Sequence, residues 1–582
     1  MEEILLDKIG KKIILLGNNA IVRGALEAGV QFVSTYPGTP ASEIGNTFWR
    51  IAKKAGVYFE FSTNEKVALE AGAGAAFSGL RSLVAMKHFG LNVASDFLIP
   101  LVYSGVKGGM VIVVADDPNC WSSAQSEQDT RAFAQLAHIP VLEPATPQEC
   151  KDFTKLAFEI SEKFKIPVMI RETTRVALQG EVVKLGKIVR GKRKGKFIKD
   201  PRQFVTMPPR VLEMKKELLE KIGKIKNEIS EKSSINKVCR GPSSAGPEIG
   251  IITSGVSFLY VMEALKELKL SIPVLKLGFF YPLSEEKIKK FIRPLKKVLV
   301  VEELEPYLEK EITGFAKGVN PKLQIFGKNL LPEVGEFRPE YIIKAVAKLT
   351  GKKWQIVQPR LPNFPKRRPQ LCPGCPYWLV FSGIKTALKE IKLSEKDVIF
   401  GGEIGCYMLA GLPPHNIQDY LFCMGSSVGI GHGIMKAQSS SAKASAFGRR
   451  SRLRPTKSAG KQKLIAFVGD SSFFHAGIPA LINAVHNQSS PLIIIMDNGT
   501  TAMTGHQPHP GIEKANGERL VKIKIEDIIK ACGVKNLKII DQGNQKEFVK
   551  TVKEFLQKKE VSVIIARRPC IFVKSFVHED KL

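Results

Sequence analysis

Gly469-Asp470-Ser471, followed 28 residues after Asp470 by Asn498, constrains the fold of this chain more than any other feature. Lys463–Val468 (KLIAFV) reads as a buried strand ending at Gly469-Asp470. Ala476–Asn487 reads as a crossover helix and Pro491–Met496 (PLIIIM) as the next parallel strand, ending at Asp497-Asn498. That unit puts Asp470 and Asn498 at the same carboxyl edge of one sheet, where open α/β sheets bind ligands. An Asp carboxylate and an Asn carbonyl are hard oxygen donors, suited to an Mg²⁺ that also takes diphosphate oxygens. A helix-capping Asp and a turn Asn are the plainer reading of either residue alone. The flanking strands and the spacing together favour the ligand edge.

The rest of the chain alternates in the same way. Gln31–Thr35, Val57–Phe61, Arg81–Met86, Met110–Ala115 and Pro167–Arg171 are predicted strands, separated by helical segments such as Asn19–Ala28 and Lys66–Phe77. This predicts a doubly wound α/β sheet over residues 1–180. Residues 181–246 are basic, then helical over Glu213–Ser230, then turn-rich, and read as a linker. A second α/β unit, 247–350, carries predicted strands at Ile249–Thr253, Val274–Leu277 and Val298–Glu302. A Pro-rich connection, 351–369, leads to a third unit, 370–582, which holds the Gly-Asp-Ser motif. In the first unit, Phe61 to Lys66 joins a strand to a helix, setting Glu65 in a first helical turn. By itself that is an acid stabilising a helix amino terminus.

A net charge of +31 raises the question of nucleic acid. Part of it is local, in Lys184–Arg202 and in the acid-free, Ser/Ala-rich stretch 438–463, which reads as a surface loop. Neither carries zinc-finger spacing or an RNA-binding aromatic signature, so no nucleic-acid partner is expected. The amino terminus lacks secretory features, and no apolar run reaches the ~18–20 residues that span a bilayer. A cytoplasmic protein without membrane contact is the expectation. Nine cysteines then read as thiols or metal ligands rather than disulfides. Cys372-Pro-Gly-Cys375 has the spacing that lets two thiolates reach one metal centre, which alone suits zinc or a redox dithiol. Cys406 and Cys570 lie in the same unit. Cys120, Cys150, Cys239, Cys423 and Cys532 read as buried hydrophobes.

The Gly-Asp to Asn spacing resembles the thiamine diphosphate signature, and longer stretches make the resemblance specific. LLGNNAIVRGALEAGV, TYPGTPASEI, STNEKVALEAGAGAAFSGL, VIVVADDP, LKLGFFYPLSEEKI, VLVVEELEPYLE, LCPGCPYW, VGDSSFFHAGIPALINAVHN, MDNGTTAMTGHQPHPG and ARRPC are similar, in order, to the alpha subunits of indolepyruvate ferredoxin oxidoreductases. The resemblance implies a thiamine-diphosphate-binding fold: two doubly wound parallel-sheet domains with a transketolase-carboxy-terminal-like α/β domain between them. It implies oxidative decarboxylation of aryl pyruvates such as indolepyruvate, with coenzyme A as co-substrate, ferredoxin as acceptor and a beta subunit as partner.

Residue by residue, the resemblance implies that Asp470, Asn498 and the backbone carbonyl of Thr500 hold Mg²⁺ and the diphosphate, beside Gly469 and Ser471. Gly425 and Ser426 would lie against the aminopyrimidine. Glu65 would hydrogen-bond the pyrimidine ring and promote its imino tautomer, Thr39 would sit near the substrate carboxylate, and His88 would join the active site. Cys372, Cys375, Cys406 and Cys570 would hold a [4Fe–4S] cluster, with zinc as the rival. His506 and His509 follow the Mg²⁺ loop and could contact substrate or diphosphate. His138, His415, His432, His486 and His578 read as ordinary surface or core residues. Three departures stand out. The family usually continues past Arg-Arg-Pro-Cys into a ferredoxin-like domain, whereas this chain stops at Leu582, so a separate subunit is the expected electron exit. The stretch 438–463 looks inserted, and Gly-Asp-Ser stands for Gly-Asp-Gly. A non-oxidative thiamine-dependent decarboxylase or synthase, and a non-catalytic partner subunit, are the alternatives; iron content and cofactor retention discriminate them.

Overall fold

Parallel strands buried on both faces set the architecture, as the apolar runs of the sequence require. The structure is a computed structural model that describes residues 2–122, 125–191, 194–239, 248–355, 369–440, 462–515 and 517–573. Most of the inserted stretch 438–463 and of the Pro-rich connection lies outside these residues. The chain divides into two compact units, Met1–Leu361 and Pro362–Leu582.

The first unit contains a seven-stranded sheet in the order Tyr58–Phe61, Phe32–Thr35, Ser82–Lys87, Met110–Asp116, Val168–Thr173, Val141–Leu142 and Phe279–Tyr281. Every pairing is parallel except the last. Met110–Asp116 is buried at every position, which is why it reads as one apolar run. The chain goes from Phe32–Thr35 out to Tyr58–Phe61, then crosses back to Ser82–Lys87. The winding therefore reverses between Phe32–Thr35 and Ser82–Lys87. A five-stranded sheet follows in the order Gln324–Phe326, Lys297–Val301, Ile249–Ser254, Val274–Leu277 and Lys237–Cys239. One continuous hydrophobic cluster fills both sheets' interiors.

Of the stretch 181–246, expected as a linker, the described residues 181–191 and 194–239 are built into this unit. Gly180–Lys184 pairs antiparallel with Lys12–Leu16, and Lys237–Cys239 adds an antiparallel edge to the five-stranded sheet. Between them the helix Arg210–Ile225 buries Met214, Leu218, Ile222 and Ile225, a 4-4-3 spacing that marks one apolar face. The basic composition masked this pattern.

The second unit is a six-stranded, all-parallel sheet in the order Tyr420–Leu421, Val398–Gly402, Lys463–Gly469, Leu492–Asp497, Ser562–Arg567 and Asn536–Ile540. Alternate residues of each central strand enter different cores. Ile465, Phe467, Ile494 and Met496 face one, and Leu464, Ala466, Val468, Ile493 and Ile495 the other. Here the winding reverses between Val398–Gly402 and Lys463–Gly469. Among the described residues no helix is long and apolar enough to cross a membrane.

Candidate active site

In the second unit the strand Lys463–Gly469 passes directly into helix at Asp470, six residues earlier than the spacing suggested. Gly469 is the extended cap of that helical run, which includes a π turn at Phe473–Gly477 before Ile478–His486. Single π turns recur at functional sites because they re-aim a helix within its length. Asp470, Asn498 and Thr500 are 3%, 5% and 5% exposed. Oδ1 of Asp470 accepts the N–H of Ser471 at 2.8 Å, and Oδ2 accepts those of Asn498 and Gly499 at 3.2 and 2.9 Å. Oδ1 of Asn498 accepts the N–H of Thr500 at 3.1 Å. The two hard oxygen donors thus stand on adjacent strand ends, tied by backbone hydrogen bonds. That donor set fits Mg²⁺.

His509 lies against this edge, its Nε2 3.2 Å from Oδ2 of Asp470. Burial opposes its protonation, but the carboxylates of Asp470 and Asp497 outweigh burial and hold it above its ordinary value. His506, by contrast, is lowered by burial and stands beside the Phe572 ring. The Met424–Ser427 turn approaches from another side. Gly425 has φ +78° and backs onto Ala476 of the π turn so closely that a Cβ would lie 2.7 Å from its carbonyl carbon. Only glycine meets both demands. Ser427 anchors the following helix by donating to the carbonyl of Phe467 at 2.8 Å.

Glu403 belongs to this edge, although the sequence reading passed over it. It follows Val398–Gly402 at the winding reversal and has no exposed surface. Its carboxyl accepts from the N–H of Gly425, from the Tyr407 hydroxyl at 2.7 Å and from the N–H of Gly469 at 3.3 Å. Burial pushes it up to about 7, against the hydrogen bonds from Tyr407, Ser472, Gly469 and Gly425. An acid immediately after a Gly-ended apolar strand, in IFGGE, was the available signal.

In the first unit, Thr39, Glu65 and His88 all follow the carboxyl ends of neighbouring strands, on either side of the winding reversal and beside it. Asn64 caps the helix that Glu65 opens, accepting the N–H of Val67 at 2.9 Å. Glu65 is buried, and its stem lies against Gly90, where a Cβ would sit 2.4 Å from Cγ. The hydroxyl of Thr39 is 3.3 Å from that of Ser42, and its carbonyl accepts from Ser122 at 3.0 Å. His88 is fully buried, with Nδ1 3.4 Å from the carbonyl of Ala115. Burial lowers its basicity against the pull of Asp116. Lys87, another residue not singled out in the sequence, packs its stem on Gly38 and places Nζ 3.8 Å from Asp117. Burial draws it down to about 8.

Cys372, Cys375, Cys406 and Cys570, all in the second unit, lie within electrostatic reach of one another. Burial pushes Cys406 up to about 12, helped by Cys375, Cys570 and Cys372, and Cys375 up to about 11, helped by Cys372 and Cys570. Among the described residues no group of three or more His, Cys, Asp or Glu is drawn tightly enough to hold a metal ion. A cube-shaped cluster takes one thiolate per iron, and four soft thiols whose charges reach one another are the donor type it uses. Of the five cysteines expected as buried hydrophobes, Cys150 is buried, Cys120, Cys239 and Cys532 are half-buried, and Cys423 is exposed. Cys423 departs because it sits in the turn before Gly425, outside the sheet.

Three family models match the chain. The C-terminal TPP-binding domain of thiamine pyrophosphate enzymes matches residues 403–566. The thiamine-diphosphate-binding domain of pyruvate flavodoxin/ferredoxin oxidoreductases matches 23–192, and the indolepyruvate oxidoreductase domain matches 237–333. The indolepyruvate oxidoreductase subunit IorA of Methanothermobacter thermautotrophicus is 44% identical, over 98% of this chain and 89% of that protein. The subunit of the same name from Thermococcus kodakarensis is 43% identical, over 98% and 88%. That of Archaeoglobus fulgidus is 38% identical, over 99% and 89%.

Proposed function

The chain belongs to the family of indolepyruvate oxidoreductase subunits IorA, and on that premise we propose that it is the catalytic alpha subunit of a thiamine-diphosphate-dependent 2-oxo acid:ferredoxin oxidoreductase. Its reaction converts an aryl pyruvate, coenzyme A and two oxidised ferredoxins to aryl-acetyl-CoA, CO₂, two reduced ferredoxins and a proton. The observation that carries this reading is the tie between Asp470 and the Asn498-Gly499 turn at the carboxyl edge of a parallel sheet.

Asp470, Asn498 and the backbone carbonyl of Thr500 would hold Mg²⁺ and the diphosphate, with Gly469 and Ser471 lining the approach. Gly425 and Ser426 would flank the aminopyrimidine. Bound there, the coenzyme supplies a nucleophilic carbon for the 2-oxo group and a sink for the charge left when CO₂ departs. Glu65 would hold a proton at the pyrimidine ring nitrogen, a role that its burial supports because few waters compete for the carboxyl. Thr39 and His88 would orient the 2-oxo acid. Cys372, Cys375, Cys406 and Cys570 would hold a [4Fe–4S] cluster, which supplies one-electron redox chemistry. A beta subunit and a separate ferredoxin complete the assembly.

The test is anaerobic turnover of the chain together with its beta subunit, supplied with coenzyme A and ferredoxin, on indolepyruvate, phenylpyruvate, pyruvate and 2-oxoglutarate. The expected result is CoA-dependent ferredoxin reduction that favours the aryl substrates. Preference for pyruvate or 2-oxoglutarate would reassign the substrate, and CO₂ release without ferredoxin reduction would return the non-oxidative decarboxylase.

A further inference from the structure

We propose that Glu403 is a positioning residue that holds the Gly425 turn and the Gly469-Asp470 strand end at one spacing, so that the coenzyme meets a preformed edge; this rests on the thiamine reading above. Three pieces of chain converge on it. Glu403 itself ends Val398–Gly402, Gly469 ends the neighbouring strand, and Gly425 precedes the helix Ser426–Ser440. The winding of the sheet reverses between the first two, so the strands are neighbours in the sheet without being consecutive along the chain. The backbone ladder between them ends at Gly401 and Ala466, and the Glu403 side chain continues the tie beyond it.

The carboxyl divides its two oxygens between the two loops. Oε2 takes the N–H of Gly425, while Oε1 takes the Tyr407 hydroxyl at 2.7 Å and the N–H of Gly469 at 3.3 Å. The Tyr407 oxygen in turn accepts that same Gly469 N–H at 2.8 Å, closing a triangle. The groups holding the carboxyl are neutral donors, backbone N–H groups and hydroxyls, so their directions report loop position rather than charge. A fully buried carboxyl is costly to keep without a cation, and an apolar residue of similar size would pack there more easily. Its retention is explained by geometry at the two glycines. Both allow close approach: a Cβ on Gly425 would strike Ala476 at 2.7 Å, and one on Gly469 would lie 3.0 Å from the Tyr407 ring.

Calorimetric titration of the full chain with thiamine diphosphate and Mg²⁺ tests this. Glu403→Gln puts an amide N–H₂ against one of the backbone donors, so the Kd for the coenzyme should rise about 10- to 100-fold. Tyr407→Phe, which leaves the Gly425 contact in place, should give a smaller rise. In turnover, KM for the coenzyme should climb while kcat at saturating coenzyme falls much less, which a general loss of folding would not produce. Unchanged affinity in both variants overturns the proposal, as does a kcat that collapses at saturating coenzyme in step with affinity. If Glu403→Gln does not fold, Tyr407→Phe decides by the same measurements. Failure of the wild-type chain to bind the coenzyme overturns the thiamine reading together with this one, whereas wild-type binding with unaffected variants overturns this one alone.

Discussion

Oδ2 of Asp470 accepts the backbone N–H of Asn498 at 3.2 Å, across a sequence separation of 28. The bond joins the ends of two adjacent parallel strands, since Gly469 pairs with Met496 in the sheet. A carboxylate held this way presents its remaining lone pairs in a set direction before any ligand arrives.

Asp470→Ala removes both the hard ligand and the tie to the Asn498-Gly499 turn. Affinity for thiamine diphosphate in the presence of Mg²⁺ should fall at least about tenfold by calorimetry. The two central strands are buried at every position except Lys463, so the melting temperature of the variant should move little by comparison. Retained affinity would move the metal site elsewhere.

Glu65→Gln keeps the size of the side chain and alters only its proton chemistry. Turnover should drop about 100-fold or more while coenzyme binding is preserved, the pattern expected of a lost proton-holding group. Gly90→Ala offers an independent check, because its Cβ would lie 2.4 Å from Cγ of Glu65 and force that side chain aside. The two variants should show the same loss of kcat. Full activity in Glu65→Gln would remove the residue from the mechanism.

Anaerobically purified chain should carry about four irons and no zinc, as one [4Fe–4S] cluster requires. Cys406→Ser should then abolish ferredoxin reduction while CO₂ release, measured by trapping, persists at a low rate. Cys423→Ser should leave the iron content unchanged, because the thiols whose charges act most on Cys375 and Cys406 are Cys372, Cys375, Cys406 and Cys570 themselves, not Cys423. Stoichiometric zinc would make the site structural.

Glu172 should make the first unit sensitive to pH. It is buried at the end of Val168–Thr173, and burial, with Glu43 adding to it, pushes the carboxyl up to about 8. In the unfolded chain the same group ionises near 4.3. Folding therefore retains a proton that the unfolded chain gives up, so stability is full below about pH 4.3 and is lost as pH rises toward 8. Glu172→Gln removes that contribution. The melting temperature measured from pH 5 to 8 should fall less steeply in the variant than in the wild type, and identical slopes would refute the assignment.

Much of the fold was legible along the chain because buried parallel strands are short apolar runs with punctuated ends. Val274–Leu277 appears at its expected bounds, and Phe32–Thr35, Tyr58–Phe61 and Leu492–Asp497 within a residue. The helix after Gly469 starts earlier than its sequence suggests because Asp470-Ser471-Ser472 reads as a loop, whereas an extended glycine lets the strand turn straight into helix. The stretch 181–246 reads as a connection because its basic composition hides the four apolar residues that Arg210–Ile225 buries at helical spacing.

The sequence by itself determined which residues stand at strand ends, since that follows from local pattern and the right-handedness of the crossover. Asp470 and Asn498 were therefore placed on one edge without coordinates. Tertiary structure alone decided which strand ends are neighbours. Nothing in GGEIGC or CMGSS says that Glu403 meets both Gly425 and Gly469, because that contact depends on Val398–Gly402 lying between Tyr420–Leu421 and Lys463–Gly469. The electrostatic reach of Cys372, Cys375 and Cys570 to Cys406 has the same origin. Strand order is settled by how the helices pack on both faces of the finished sheet, an energy summed over contacts distant in sequence that no local window contains.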